Sequence, residues 1–104
     1  MQTFHYRNPR FRVNTPLDVY VTSGSHLRGR CVDISVGGML AELDQQIPVG
    51  KIVRLELSLD GNPLALEARL AYHQHKQSGL VFQFSSDHQR RSVFRLLQTI
   101  QKLT

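Results

Sequence analysis

At 104 residues, with 40% hydrophobic and 20% charged content, the chain fits one folded domain and excludes a wholly disordered one. A formal net charge of +5 favours anionic partners, whether phosphates, nucleic acid or acidic lipid surfaces. The single cysteine, Cys31, excludes an intramolecular disulfide, and neither a signal-type start nor an apolar run of about 18 residues is evident, so the expected location is the cytoplasm with no membrane insertion.

In chain order, residues 1–12 read as a flexible basic arm. They carry His5, Arg7, Arg10 and Arg12 and no acid, and Pro9 disfavours a helix there because it lacks a backbone donor. Residues 13–85 read as a β-barrel. Leu17, Val19 and Val21 alternate with polar neighbours, as a half-buried strand requires. Ser23-Gly24-Ser25 reads as a turn. Residues 28–34 form a second strand, which Ser35-Val36-Gly37-Gly38 interrupts before residues 39–43 resume an extended run. Beyond the break at Pro48-Val49-Gly50, Leu55, Leu57 and Leu59 share one face of a strand. Asp60-Gly61-Asn62-Pro63 is a turn signal, and Leu64, Leu66, Ala68 and Leu70 mark the return. Gly79 opens a last strand with Leu80, Phe82 and Phe84 on one side.

Residues 86–103 change period. Val93, Leu96, Leu97, Ile100 and Leu103 recur at helical spacing. Ser86 followed by Gln89 is a capping-box pattern, with Asp87 near the positive end of the helix dipole. The expected fold is mainly β: a six-stranded antiparallel barrel with one C-terminal α-helix whose apolar stripe covers it.

Two clusters carry the chemistry. In Asp33-Ile34-Ser35-Val36-Gly37-Gly38, Asp33 can accept two hydrogen bonds from a guanine edge and Ser35 can bond a base or phosphate. Gly37 or Gly38 can adopt positive φ or let a ligand approach the backbone. The alternative is that Asp33 and Ser35 cap their own turn. Upstream, Arg7, Arg10 and Arg12 place three guanidiniums within six residues, a clamp suited to phosphates or to the O6/N7 edge of guanine. No phosphate-binding glycine loop, activated nucleophile or complete metal-ligand set accompanies them, so neither catalysis nor a metal is expected.

Asp33-x-Ser35-x-x-Gly38 resembles the D/N-x-S-x-x-G signature of PilZ domains. The run from Pro9 to Leu17 is similar to the family's approach to its first strand, and residues 66–72 and 79–82 are similar to its later strands. The resemblance spans essentially the whole chain. It implies a receptor for cyclic di-GMP with no other cofactor, in which Asp33, Ser35 and Gly38 line the guanine site and Arg7, Arg10 and Arg12 clamp the ligand. Tyr6, Gly37 and Tyr72 are secondary candidates. The arginines depart from the family's R-x-x-x-R. With Arg10 in the second position Tyr6 fills the first; with Arg12 there, Asn8 does.

The expected function is a ligand-switched receptor that signals to a protein partner, as a monomer or weak dimer and without specific nucleic-acid binding. The rivals are a ligand-free adaptor, motivated by the irregular arginine spacing, and a nucleic-acid binder, motivated by charge alone.

Overall fold

The structure, a computed structural model, describes the backbone of residues 10–103 and the side chains of residues 10–100. Six strands precede one helix: β1 (Phe11–Val21), β2 (His26–Ile34), β3 (Gly38–Leu43), β4 (Ile52–Leu59), β5 (Asn62–Gln74), β6 (Gln77–Gln83) and α1 (Asp87–Leu103). They close into a barrel in the order β1-β2-β3-β6-β5-β4, with every neighbouring pair antiparallel. Closure pairs both edges of every strand, which leaves no open edge for another chain to extend.

Alternation fills the interior. Leu17 and Val19 from β1, Val53, Leu55, Leu57 and Leu59 from β4, Leu66, Ala68 and Leu70 from β5, and Leu80 and Phe82 from β6 are all buried. Charged neighbours such as Arg54, Glu67 and Arg69 stay outside. Asp60 and Gly61 take φ 53° and 84°, the two successive positive values that a two-residue turn of matching twist requires between β4 and β5.

The helix closes one end. Val93 and Leu97 join the buried cluster, and Ile100 lines a cavity with Val13 and Leu59. Its start departs from a reciprocal capping box. The Ser86 hydroxyl accepts from the Gln89 N–H at 3.1 Å, as expected, but the Gln89 side-chain oxygen accepts from the N–H of Ser85, at 2.8 Å, instead of that of Ser86.

The strand structure begins two residues before the expected barrel boundary. Arg12 is therefore part of β1, its Cα opposite Asp33 of β2. Burial alternates through this stretch, with Phe11 and Val13 half-buried and Arg12 and Asn14 exposed, although the register shifts at a bulge between Arg12 and Thr15 and Asn14 sits at φ 49°. Arg30 steadies the bulge by donating to the Asn14 carbonyl oxygen at 3.0 Å. Further register shifts fall between Cys31 and Asp33 and between Leu70 and Tyr72. Bulges re-aim the side chains that follow them, and Asp33 and Tyr72 each directly follow one.

Candidate ligand-binding site

Asp33 ends the bulged stretch of β2 and leads into the tight connection to β3. Two bonds shape that connection. The Ser35 N–H donates to the Gly38 carbonyl at 2.8 Å, and the Ser35 hydroxyl accepts from the Gly37 N–H at 3.3 Å. The hydroxyl also donates to the Gly38 carbonyl at 3.4 Å, so Ser35 caps its own turn. The Gly37 carbonyl accepts from the Phe82 N–H at 2.9 Å, which ties the turn to β6.

The glycine of the signature acts by a different route from positive φ. The positive-φ glycines among the described residues are Gly24, Gly50 and Gly61. At Gly38 a Cβ would collide with the Leu80 carbonyl of β6, so the residue is required by the close approach of β3 to β6.

These elements enclose a cleft on the outer wall of the barrel of about 610 Å³. Arg10, Asp33, Ser35, Gly37, Gly38 and Tyr72 all line it. That volume falls in the range of roughly 300–1,000 Å³ typical of small-molecule sites. Its floor is formed by Leu40 of β3, Ala71 of β5, and Gly79 and Val81 of β6. Tyr72 is 42% exposed and lies over Gly79, its cross-strand partner, where any Cβ would collide with the ring.

The Asp33 side chain is 18% exposed, and its carboxylate stands 3.7 Å from the Arg10 guanidinium, itself 52% exposed. Such a half-open ion pair is worth only about 0–1 kcal/mol. It therefore holds Arg10 over the cleft while leaving Asp33 free to exchange it for a better-matched donor pair. Behind Asp33, on the interior side, Cys31 is fully buried. Burial first, and then the Asp33 carboxylate, push the Cys31 thiol pKa up to about 12 from an ordinary 9.0. A thiol held protonated in this way is core packing and no nucleophile.

The structure thus brings together Arg10, Asp33, Ser35, Gly37, Gly38 and Tyr72. It does not bring Arg12 with them. Arg12 lines a second cavity with Thr15, Ser58 and Ile100, although its Cα is paired with that of Asp33. Arg7 and Tyr6 lie outside the described residues. Among the described residues, which include His73 and His75, no group of three or more metal-ligating side chains occurs. The His73 ring is instead bonded to the Ser78 hydroxyl and the Ile47 carbonyl. Sequence reasoning did not single out Gly79, Ala71, Leu40 or Val81 as cleft residues. The one available signal was Gly79, a glycine inside an apolar strand, which marks a close approach by another group.

The sequence matches the family described as PilZ domain over residues 5–99. The chain belongs to the PilZ domain family. No curated protein matches the sequence. Solved structures share the fold. The PilZ domain of CeSA from a cellulose-synthesising bacterium is 24% identical, with a TM-score of 0.75 over 89% of this chain and 98% of that one. The PilZ domain of YcgR from Escherichia coli with c-di-GMP is 18% identical, with a TM-score of 0.78 over 92% and 91% of the two chains. YcgR from E. coli in complex with c-di-GMP gives a TM-score of 0.80 at 20% identity, over 92% of this chain and 46% of that chain. No helix among the described residues of this PilZ domain is long and apolar enough to cross a membrane.

Proposed function

We propose that this PilZ domain is a receptor for c-di-GMP that changes conformation on binding and so signals to a partner protein. The observation that carries the reading is the convergence of Asp33, Ser35, Gly38, Tyr72 and Arg10 on one cleft of about 610 Å³. Two structures of similar fold, both of E. coli YcgR, contain c-di-GMP, which supports the same ligand here.

Each side chain has a role that its chemistry allows. Asp33 offers two acceptor oxygens to adjacent N–H donors on a guanine edge, a charge-assisted pair strengthened by its burial. The Tyr72 ring, half exposed above the glycine floor, offers a face on which a base stacks. Arg10 offers a fork to a phosphate or to the guanine O6/N7 edge. Arg10 immediately precedes β1, and Arg7, outside the described residues, supplies a second fork in this reading. Closure of the segment carrying Arg7 over the ligand is the conformational change in this reading.

Isothermal titration with c-di-GMP tests it. The wild type should bind, and Arg10→Ala should bind at least about tenfold more weakly, since losing a charged hydrogen-bonding partner costs about 1.5–3 kcal/mol. No heat at ligand concentrations on the order of tens of micromolar contradicts the reading.

A second reading, a ligand-free adaptor acting through protein contact, is favoured by one observation. Arg12 lines a different cavity, so the arginine cluster reaches the cleft only in part. It predicts partner capture that neither c-di-GMP nor Asp33→Ala alters.

A further inference from the structure

The described lining of the cleft holds one cation, Arg10, and one carboxylate, Asp33, which are paired with each other. Their charges cancel. A diester dinucleotide brings two negative charges, so beyond Arg7 of the receptor reading a cleft built for it gains from a further positive group on the barrel itself. Resting on the receptor reading above, we infer that Arg69 of β5 is that group, a phosphate-contacting residue at the lateral rim of the cleft.

The register of the barrel places it there. Gly38 of β3 is the partner of Val81 of β6, and Val81 is in turn the partner of Arg69 of β5. Gly38 and Val81 both line the cleft, so Arg69 is the next residue in the same transverse row. Directly opposed residues have Cβ atoms about 4.5–5.5 Å apart, and an arginine side chain spans that step. Leu70 is buried and Arg69 is exposed, which puts Arg69 on the outer face with Val81. The row continues from Arg69 to Ile52 of β4. Ile52 and Val81 are each 38% exposed and give the aliphatic stem an apolar bed that leaves the guanidinium free.

The other barrel arginines are committed elsewhere. Arg28 and Arg54 meet Asp18 and Glu56, Arg30 holds Asn14, and Arg12 faces the second cavity. Arg69 makes no ion pair among the described residues. It therefore contributes positive charge to the cleft without a competing carboxylate, and it stands on a rigid strand rather than on the arm.

The test compares wild type, Arg69→Gln and the control Arg54→Gln by titration with c-di-GMP at low and high salt. Arg69→Gln should weaken binding by about tenfold or more. It should also flatten the salt dependence of the affinity, because a screened charge pair has been removed. Arg54→Gln, on the outer face away from the cleft, should leave both unchanged. Wild-type affinity and salt dependence in Arg69→Gln overturn the inference while leaving the receptor reading standing. Equal weakening by both variants also overturns it, since a general surface potential then accounts for the effect. No binding by the wild type overturns the receptor reading itself.

Discussion

The ring of Tyr72 lies across Gly79, its partner on the neighbouring strand, so closely that a Cβ there would meet the ring. The contact depends on the bulge between Leu70 and Tyr72. It sets the aromatic on the outer wall of the barrel, beside the small floor residues of the cleft.

Gly79→Ala should therefore force the ring away. The ring is exposed and can swing outward, so the urea midpoint should move little. The same variant should weaken c-di-GMP binding by displacing the stacking face. Tyr72→Ala should weaken binding with little loss of stability, because the ring is 42% exposed.

The cap of the helix gives a second prediction. Ser86 Oγ accepts the Gln89 N–H, and Ser86→Ala should cost about 0.5–2 kcal/mol in chemical unfolding. Leu97→Ala, from the buried face of the helix, should cost about 2–5 kcal/mol.

Much of the barrel could be read directly, because strands with one buried face announce themselves by period. Leu55, Leu57 and Leu59, and Leu66, Ala68 and Leu70, are such runs, and each is buried. The start of β1 was missed because Arg10 and Arg12 beside Pro9 read as a basic arm, although Phe11 and Val13 carry the alternation into Leu17. That reading placed Arg12 on a free arm; it stands in β1 opposite Asp33 and lines the second cavity. Asp33, Ser35 and Gly38 were legible as a cluster because they are near in sequence and bear polar chemistry. Gly79 and Val81 were not, since only the order β3-β6-β5 makes them neighbours of Gly38 and Tyr72, and no local pattern reports strand order.

Cys31 gives a pH prediction. Its thiol pKa is raised in the folded state to about 12 from 9.0, so the unfolded chain releases its proton first as pH rises. Cys31 thus contributes stability that is fully present below pH 9 and is lost progressively toward pH 12. Unfolding free energy should fall through that window by up to roughly 1.4 kcal/mol per pH unit more steeply in wild type than in Cys31→Ala. Urea unfolding of both proteins at pH values across the window measures the difference. Parallel slopes would place the thiol outside the core.

Asp33→Asn should separate the ligand contact from folding. It keeps the shape but replaces one acceptor oxygen with a donor, so a guanine edge loses half of its paired acceptors. Binding should weaken about tenfold or more, while the urea midpoint should move little because the Arg10 contact is a half-open ion pair.

The central claim is that a cyclic dinucleotide sits in the outer-wall cleft between the β2–β3 turn and Tyr72. Backbone amide shifts followed by NMR during a c-di-GMP titration test it most directly. The largest changes should fall on Asp33, Ser35, Gly37, Gly38, Gly79 and Val81, with the amides of Ser58 and Asp60 unmoved. A silent spectrum at saturating ligand, or shifts centred on Ser58 and Asp60, would contradict the account.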